Sequence, residues 1–187
     1  PSGDMDTPYV FEQTVVGGAV PKNFFPAVEK GIAESVKKGP LAAYPVTGIK
    51  AVLYDGSYHP VDSSEMAFKV ATQQAFKKGI MEAKPVLLEP IATLKVVVPE
   101  GYTGDVMGEL NKRRARVMGI NPTDNGYQEI VADIPYLELY GYNATLRSMT
   151  SGSGTFSYEF ARYEQAPDDV AAKQIEERAS KLVEVEE

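Results

Sequence analysis

The residues with the clearest chemical potential lie together in one short segment, residues 53–68, LYDGSYHPVDSSEMAF. The segment contains the only histidine of the chain, His59, followed closely by Asp62 and Ser63. An imidazole, a carboxylate and a hydroxyl are the groups that nucleophilic hydrolases combine. Each member of such a triad must be held in place by surrounding structure, which three side chains on one short turn rarely achieve. The segment therefore favours turn and helix-capping chemistry over hydrolysis.

A second group of candidate residues is a dense basic cluster near the middle of the chain. It consists of Lys112, Arg113, Arg114 and Arg116. Guanidinium groups match the geometry of phosphate, so this cluster could face RNA. The alternative is a solvated helix C-terminus, where cations interact favourably with the helix dipole. Composition leaves both interpretations open.

Other kinds of site find little support. Gly17-Gly18 and Gly152-Ser153-Gly154 lack the Lys and Ser/Thr of a Walker loop, so these glycines are interpreted as the ends of strands or helices. One histidine and no cysteine do not supply the usual ligands of a zinc site. No apolar run approaches the length of a membrane span, and the start of the chain lacks the features of a signal peptide. We therefore expect no metal, no cofactor and no membrane contact for this chain.

The overall charge does not argue against RNA as a partner. The chain has 187 residues and a net charge of −7. Residues 168–187 carry seven acidic and three basic side chains, which leaves the remainder close to neutral. Local patches, and not the total, decide whether a surface attracts nucleic acid. The absence of cysteine is compatible with a reducing compartment.

The elements that position His59 are predicted from apolar periodicity. Asp62 and Glu65 have the spacing of a capping box, which predicts a helix that starts near Ser63. His59 then lies on a connection from a strand to a helix. The preceding elements are predicted to be a strand, a helix and a strand at residues 10–16, 25–39 and 46–54.

The second half of the chain has a different order of elements. The predicted order is β-α-β-β-α-β, which is typical of ferredoxin-like domains. Asp124-Asn125-Gly126 is a strong hairpin signal between the two central strands. Residues 168–187 carry a thin apolar stripe and are predicted to be helical. The six elements are assigned to residues 91–98, a helix capped by Thr103, and residues 117–120, 127–134, 137–150 and 155–163.

Four stretches, read together, resemble the C-terminal part of bacterial elongation factor G, the translational GTPase that drives ribosomal translocation. They cover most of residues 10–163 in the order of the family, and as a set they are far more specific than any single motif. The stretches are VVGGAVPKNFFPAVEKGI, YPVTGIKAVLYDGSYHPVDSSEMAFKVA, AKPVLLEPIATLKVVVPEGYTGDVMGELNKRRARVMGI and LYGYNATLRSMTSGSGTFSYEF.

The resemblance implies an α+β fold with two domains and a helical tail. Residues 1–88 would be domain IV, which resembles ribosomal protein S5 and contains a left-handed βαβ crossover. Residues 89–165 would be the ferredoxin-like domain V, and residues 166–187 the C-terminal helical tail. The resemblance also implies that domain IV is truncated at its N-terminus here. A sheet without its first strands exposes an edge, so we expect domain IV to be less stable than domain V or to pair with another copy.

The resemblance also implies where the chain makes contacts. Residues 56–62, here named the tip loop, would enter the decoding centre of the small ribosomal subunit and follow the tRNA–mRNA pair. His59 would be a contact residue and not an acid or base. The basic cluster would face ribosomal RNA or protein near the GTPase-associated region of the large subunit. The contact residues of the tip loop are Gly56, Ser57, Tyr58, His59, Pro60, Val61 and Asp62.

The resemblance implies that GTP binding and hydrolysis take place in another domain. GTP and Mg would bind a domain that this chain lacks, so the chain itself is expected to be non-enzymatic, cytoplasmic and part of a monomeric GTPase. Within the family, SYHPVDSSE favours the ordinary translocation factor over a ribosome-protection paralogue, and a ribosome-recycling paralogue stays open. A stand-alone enzyme or a small RNA-binding module is the alternative from another class.

Overall fold

The computed structural model describes residues 1–183, and these residues form two compact units. One unit contains Pro1–Leu87 together with the segment that starts at Pro167, and the other contains Leu88–Ala166. Helices and strands are mixed in both units, so the predicted α+β class is confirmed. The last four residues of the predicted helical tail, 184–187, lie outside the described residues. Among residues 1–183, no helix has the length and apolarity that crossing a bilayer requires.

The first unit is built on a two-stranded parallel sheet. Tyr9 pairs with Ile49 and Gln13 pairs with Leu53, and the first helix connects the two strands. Both strands are shorter than predicted; the second cannot begin before Ile49, because Gly48 has a φ of +69°. The elements of this unit are β1 (Tyr9–Gln13), α1 (Phe25–Ser35), β2 (Ile49–Leu53), α2 (Glu65–Glu82), α5 (Asp168–Glu177) and α6 (Ser180–Val183).

Close contact between α1 and α2 depends on a glycine. A Cβ atom placed on Gly31 of α1 would lie 2.8 Å from Cβ of Thr72 and 2.9 Å from the main-chain oxygen of Lys69, both on α2. Ala27, Val28 and Ile32 are buried on the same helix. Because interiors pack densely, a methyl group at position 31 would force the two helices apart.

The two C-terminal helices dock onto residues of the same unit. The Arg178 guanidinium stacks 3.8 Å from the centre of the Tyr44 ring, and its Nε donates a hydrogen bond to the Ala42 oxygen at 2.7 Å. The Tyr44 hydroxyl lies 3.1 Å from Oε1 of Gln174. A planar guanidinium over an aromatic face is a favourable geometry. These contacts define the packing of the helical tail, which the sequence alone left open.

The second unit is a four-stranded antiparallel sheet with the strand order β4-β5-β3-β6. The β-α-β-β-α-β order agrees with the prediction. The hairpin between β4 and β5 contains Asn125 with a φ of +63° and Gly126 with a φ of +75°. The elements are β3 (Leu88–Pro99), α3 (Thr103–Lys112), β4 (Arg116–Pro122), β5 (Tyr127–Pro135), α4 (Tyr142–Met149) and β6 (Thr155–Gln165).

One apolar core holds the second unit together. Alternate residues of β3 and β5 point to the same side of the sheet and meet apolar residues of α3 and α4. Residues with no exposed surface in this core are Ala92, Leu94, Val96, Val98, Val106, Leu110, Ile130, Ala132 and Ile134.

Two helix starts in this unit differ from the prediction. The helix predicted from Leu137 begins at Tyr142, because Gly141 has a φ of +72° and interrupts the helical path. A short 3-10 turn, Tyr136–Leu139, precedes it. Thr103 was predicted to cap α3, but it is the first helical residue and its buried hydroxyl has no hydrogen-bond partner among the described residues.

The contact at Gly31 gives a test of the first unit. Gly31→Ala is expected to lower the free energy of opening of α1 and α2 by about 1–3 kcal/mol, since the added methyl group overpacks the helix interface. Gly79→Ala on α2 is the matched control, because a Cβ atom there has nothing within 4 Å. The control should raise stability by about 0.5–1 kcal/mol through helix propensity. Native-state hydrogen exchange measures both, and equal effects at the two positions would contradict the packing described here.

A second test compares the two units. The first unit has only a two-stranded sheet, whereas the second has a four-stranded sheet over a fully buried core. Amides of β3 and β5 are expected to exchange at least about tenfold more slowly than amides of β1 and β2, because core strands open with higher free energies. Hydrogen exchange followed by mass spectrometry resolves the segments. Equal protection of both sheets would show that the open sheet edges cost the first unit no stability.

Candidate nucleic-acid interface

The tip loop leaves the carboxyl end of β2 and leads into α2. Its first residue, Gly56, is packed so closely that a Cβ atom there would lie 2.5 Å from Cγ2 of Val20. The Gly56 N–H donates to Oδ1 of Asp55 at 2.8 Å. Glycine at this position therefore lets the loop approach the β1–α1 connection. The Asp55 carboxylate provides the hydrogen-bond acceptor for the Gly56 N–H.

Two serines close the loop and start α2. The Ser63 hydroxyl accepts the main-chain N–H of His59 at 2.9 Å, and the Ser63 N–H donates to the His59 oxygen at 3.0 Å. Ser64 is the N-cap, and its hydroxyl accepts the N–H of Ala67 at 3.1 Å. The helix therefore begins at Glu65, slightly later than predicted, because Ser64 and not Asp62 caps it.

The imidazole of His59 has one nitrogen inside the loop. Nδ1 accepts the main-chain N–H of Val61 at 3.3 Å and lies 3.4 Å from Oδ2 of Asp62. In the neutral ring that accepts at Nδ1, the proton is on Nε2, which is then a free donor. The two side chains are 64 % and 81 % exposed, and in this tautomer Nδ1 and the Asp62 carboxylate are both acceptors and form no hydrogen bond with each other. The geometry presents a hydrogen-bond donor at the surface.

The hydrolase interpretation gains no support from this geometry. The Ser63 hydroxyl is engaged by main-chain N–H and not by the imidazole. Neither His59 nor Asp62 is enclosed, whereas catalytic groups are normally oriented by packed surroundings. Among residues 1–183, no group of three or more His, Asp or Glu side chains is arranged to hold a metal ion.

Tyr58 anchors the loop on an aromatic cluster. Its ring lies 5.7 Å from the ring of Phe24, and Phe24 stacks on Phe68 of α2 at 4.5 Å. Phe24 is buried, while Tyr58 keeps 44 % of its surface exposed. One side of the Tyr58 ring is thus used for packing, and the rest remains available to a partner.

The remaining tip-loop residues are open to solvent. Ser57, His59, Pro60, Val61 and Asp62 are exposed, and Val61 keeps 84 % of its surface. Proline and the local hydrogen bonds restrict the loop although it has few buried contacts. The structure therefore brings the seven predicted residues into one exposed, internally braced surface, and their contact with RNA stays a prediction.

The four residues of the predicted basic cluster differ in how many protein contacts they make. Arg113 makes the most hydrogen bonds. Arg113 Nε pairs with Oε1 of Glu109 at 2.7 Å, and Nη1 donates to the main-chain oxygens of both Glu138 and Tyr140, at 2.7 and 3.0 Å. A further hydrogen bond reaches Oγ1 of Thr145 at 3.1 Å. Arg113 therefore ties the end of α3 to the segment before and within α4.

Arg114 is bound on both sides by carboxylates. Its two terminal nitrogens reach the two Glu89 oxygens at 3.0 and 2.8 Å, and its Nε reaches Oε1 of Glu138 at 3.1 Å. These hydrogen bonds, foremost those to Glu89, raise the pKa of Arg114 although partial burial opposes the shift. A bidentate pair of this kind is among the stronger charged contacts in proteins.

Arg116 and Lys112 are the accessible members of the cluster. Arg116 is 64 % exposed and lies 3.1 Å from Oδ2 of Asp133, which also accepts from Arg162 at 2.8 Å. Burial alone would raise the pKa of Asp133, but hydrogen bonds from Arg162 and Arg116 hold it below its usual range. The Lys112 side chain is exposed and makes no ion pair or hydrogen bond with the residues that the structure describes.

Sequence reasoning missed the partners that divide this cluster. Glu89, Asp133 and Glu138 are far from Arg114 and Arg116 along the chain, and single-sequence spacing does not link them. It also missed the support of the tip loop by Val20 and Phe24. For the loop a usable signal existed, because two parallel strands send their following loops to the same edge of a sheet.

Comparison with known families accounts for nearly the whole chain. Residues 2–84 match the model described as elongation factor G, domain IV, and residues 86–174 match the model described as elongation factor G C-terminus. A relative from Thermotoga maritima described as an "Elongation factor G-like protein" is 49% identical over 178 residues. That match takes in 95% of this chain and 26% of the relative, so the chain spans about a quarter of the relative's length.

A solved structure gives the same result. A crystal structure of a Thermus thermophilus protein matches with a TM-score of 0.82 and 43% sequence identity, over 92% of this chain and 26% of that one. Two consecutive domain matches, in the family's order, cover both halves of the sequence. The chain therefore belongs to the elongation factor G family and corresponds to its C-terminal domains IV and V.

Proposed function

We propose that this chain is the ribosome-contacting part of a translation elongation factor that promotes GTP-dependent translocation of tRNA and mRNA. The observation that carries the proposal is the pairing of two family matches with an exposed, internally braced tip loop. Family membership supports a role in protein synthesis, and the tip loop supplies a surface suited to reading RNA shape. The proposed partners are the decoding centre of the small subunit, the tRNA–mRNA pair and the GTPase-associated region of the large subunit.

In this proposal the chain acts by contact and not by chemistry. The tip loop presents Nε2 of His59, the Tyr58 ring and polar atoms of Ser57 on a frame held by Ser63 and Gly56. A preorganised loop loses less conformational entropy on binding, so more of the contact energy is available to hold the moving RNA. GTP and Mg would be bound by another domain of the longer protein, which would work in the cytoplasm.

A second candidate function comes from the description of the relative. The Thermotoga maritima protein is described as elongation factor G-like, which leaves room for a paralogue that serves ribosome recycling. The SYHPVDSSE segment favours the translocation factor within the family. Both functions use the same domains on the ribosome, so a direct measurement of translocation separates them.

The divided basic cluster refines the proposed contact with large-subunit RNA. Arg113 and Arg114 use most of their donors on protein acceptors, whereas Arg116 contacts carboxylates only through Nη2 and the Lys112 ammonium contacts none of the described residues. Phosphate contacts need accessible cations. We therefore assign the RNA contact mainly to Lys112 and Arg116, and a structural role to the other two residues.

The first prediction concerns His59. In a chimera in which this chain replaces the matching region of a translocation-competent elongation factor G, His59→Ala should slow translocation by about tenfold, equivalent to about 1.4 kcal/mol. Ribosome-stimulated GTP hydrolysis should change less than about twofold, since the imidazole takes no part in that reaction. Rapid-mixing kinetics of mRNA movement and phosphate release measure the two steps.

Gln74→Ala, on an exposed position of α2, is the control for the same chimera. It should leave both rates unchanged. A parallel fall of hydrolysis and translocation in His59→Ala would overturn the contact role. A parent chimera that binds ribosomes but does not translocate would favour the recycling paralogue.

The second prediction separates the two halves of the basic cluster. Lys112→Ala should leave stability within about 0.5 kcal/mol and lower the salt slope of binding to large ribosomal subunits by about 1. Arg114→Ala should instead destabilise the second unit by about 1–3 kcal/mol, because it leaves the carboxylate of Glu89 without its partner. Urea unfolding and a salt titration of binding measure these effects. Equal loss of affinity without loss of stability in both variants would show that Arg114 also faces RNA.

A further inference from the structure

We propose that residues 14–22, the connection between β1 and α1 here named the glycine loop, form a second RNA contact beside the tip loop. Main-chain N–H groups of this loop and the Lys22 ammonium would bind one backbone phosphate. The proposal rests on the proposed function, because it takes RNA of the small ribosomal subunit as the partner. It adds a site that neither the family match nor the sequence patterns assign.

The sheet places the two loops side by side. β1 and β2 are parallel and pair in register from Tyr9–Ile49 to Gln13–Leu53. The Thr14 N–H continues the ladder with a bond to the Leu53 oxygen at 2.8 Å. Because parallel strands end at the same edge, the glycine loop and the tip loop emerge together.

The two loops also touch. Val20, at 2 % exposure, lies against the Gly56 main chain, where a Cβ atom would come within 2.5 Å of its Cγ2. Phe24, just after the glycine loop, packs against the Tyr58 ring at 5.7 Å. A partner that covers the tip loop therefore meets a surface that continues into the glycine loop.

The glycine loop offers unused hydrogen-bond donors. The N–H groups of Val15, Val16, Gly17 and Gly18 have no acceptor among residues 1–183. Gly17 and Gly18 have φ values of +68° and +72°, and no atom lies within 4 Å of a Cβ atom at either position. Successive main-chain N–H groups in such turns form concavities that bind anions. The glycines keep the approach to these donors free of side chains.

The local charge favours an anion as well. From Thr14 to Val28 the sequence contains no acidic residue, and its one charged side chain, Lys22, is exposed. The Lys22 ammonium makes no ion pair or hydrogen bond with the described residues and is therefore available. The Val16 side chain is 84 % exposed. A loop that offers donors and a cation and has no carboxylate of its own suits a phosphate group, although Asp55 and Asp62 lie on the neighbouring connection.

The test measures binding of this chain to purified bacterial small ribosomal subunits over a range of KCl concentrations. Val16→Glu should weaken binding at least about tenfold, because it sets a carboxylate beside the phosphate. Val16→Ala should stay within about twofold of the unmodified chain, because the contact uses the main chain. Lys22→Ala should lower the slope of log affinity against log salt by about 1.

Val86→Glu is the matched control, since Val86 is also exposed, at 51 %, and lies outside both loops. It should bind like the unmodified chain. Equal weakening by Val16→Glu and Val86→Glu, or by Val16→Ala and Val16→Glu, would overturn the phosphate contact. If His59→Ala weakens binding while Val16→Glu does not, the glycine loop is excluded and the proposed function stands. If the unmodified chain does not bind small subunits, both the glycine-loop contact and the proposed function are contradicted.

Discussion

The in-register parallel pairing of β1 with β2 is the constraint on which the first unit depends. A parallel pair needs a crossover between its strands, and α1 provides it. The same pairing sends both following connections to one edge, where Val20 supports Gly56 and Phe24 supports Tyr58. A small sheet of five-residue strands thus presents a surface wider than either loop alone. The α1–α2 contact at Gly31 keeps the helices behind this edge close together.

The second unit is stabilised in a different way. Its stability comes from a fully buried apolar core under a four-stranded sheet, while Arg113 and Arg114 are held by acceptors from other elements. Arg114 joins Glu89 on β3 to Glu138, and Arg113 holds the segment that leads into α4. Two of the four basic residues that resemble an RNA-binding cluster in sequence therefore stabilise the fold. Charge density along the chain is a poor guide to free charge in the fold.

Much of the architecture could be predicted from local patterns. The α+β class, the element order of the second unit and the hairpin at Asn125 follow from periodicity and turn chemistry. The start of α4 could not be placed, because Tyr136–Leu139 has a helical pattern that Gly141 interrupts with positive φ. The cap of α2 was predicted at Asp62, but the Ser63 hydroxyl accepts the His59 N–H within the loop and Ser64 caps the helix. Several residues near a helix start have suitable local preferences, and contacts in the folded chain determine where the helix begins.

The candidate site was harder to predict than the fold. Residue types identified the tip loop, and resemblance supplied its role, but neither revealed how the loop is held. The bonds that brace it join residues four apart or fewer, as in His59 and Ser63, yet the support from Val20 and Phe24 comes from a different connection.

The two nitrogens of the single imidazole ring have different roles. Nδ1 of His59 accepts the N–H of Val61 within the loop, which leaves Nε2 for an acceptor outside it. In the proposed contact, donation from Nε2 to an RNA acceptor would enrich the electron density at Nδ1 and strengthen its hydrogen bond with the Val61 N–H.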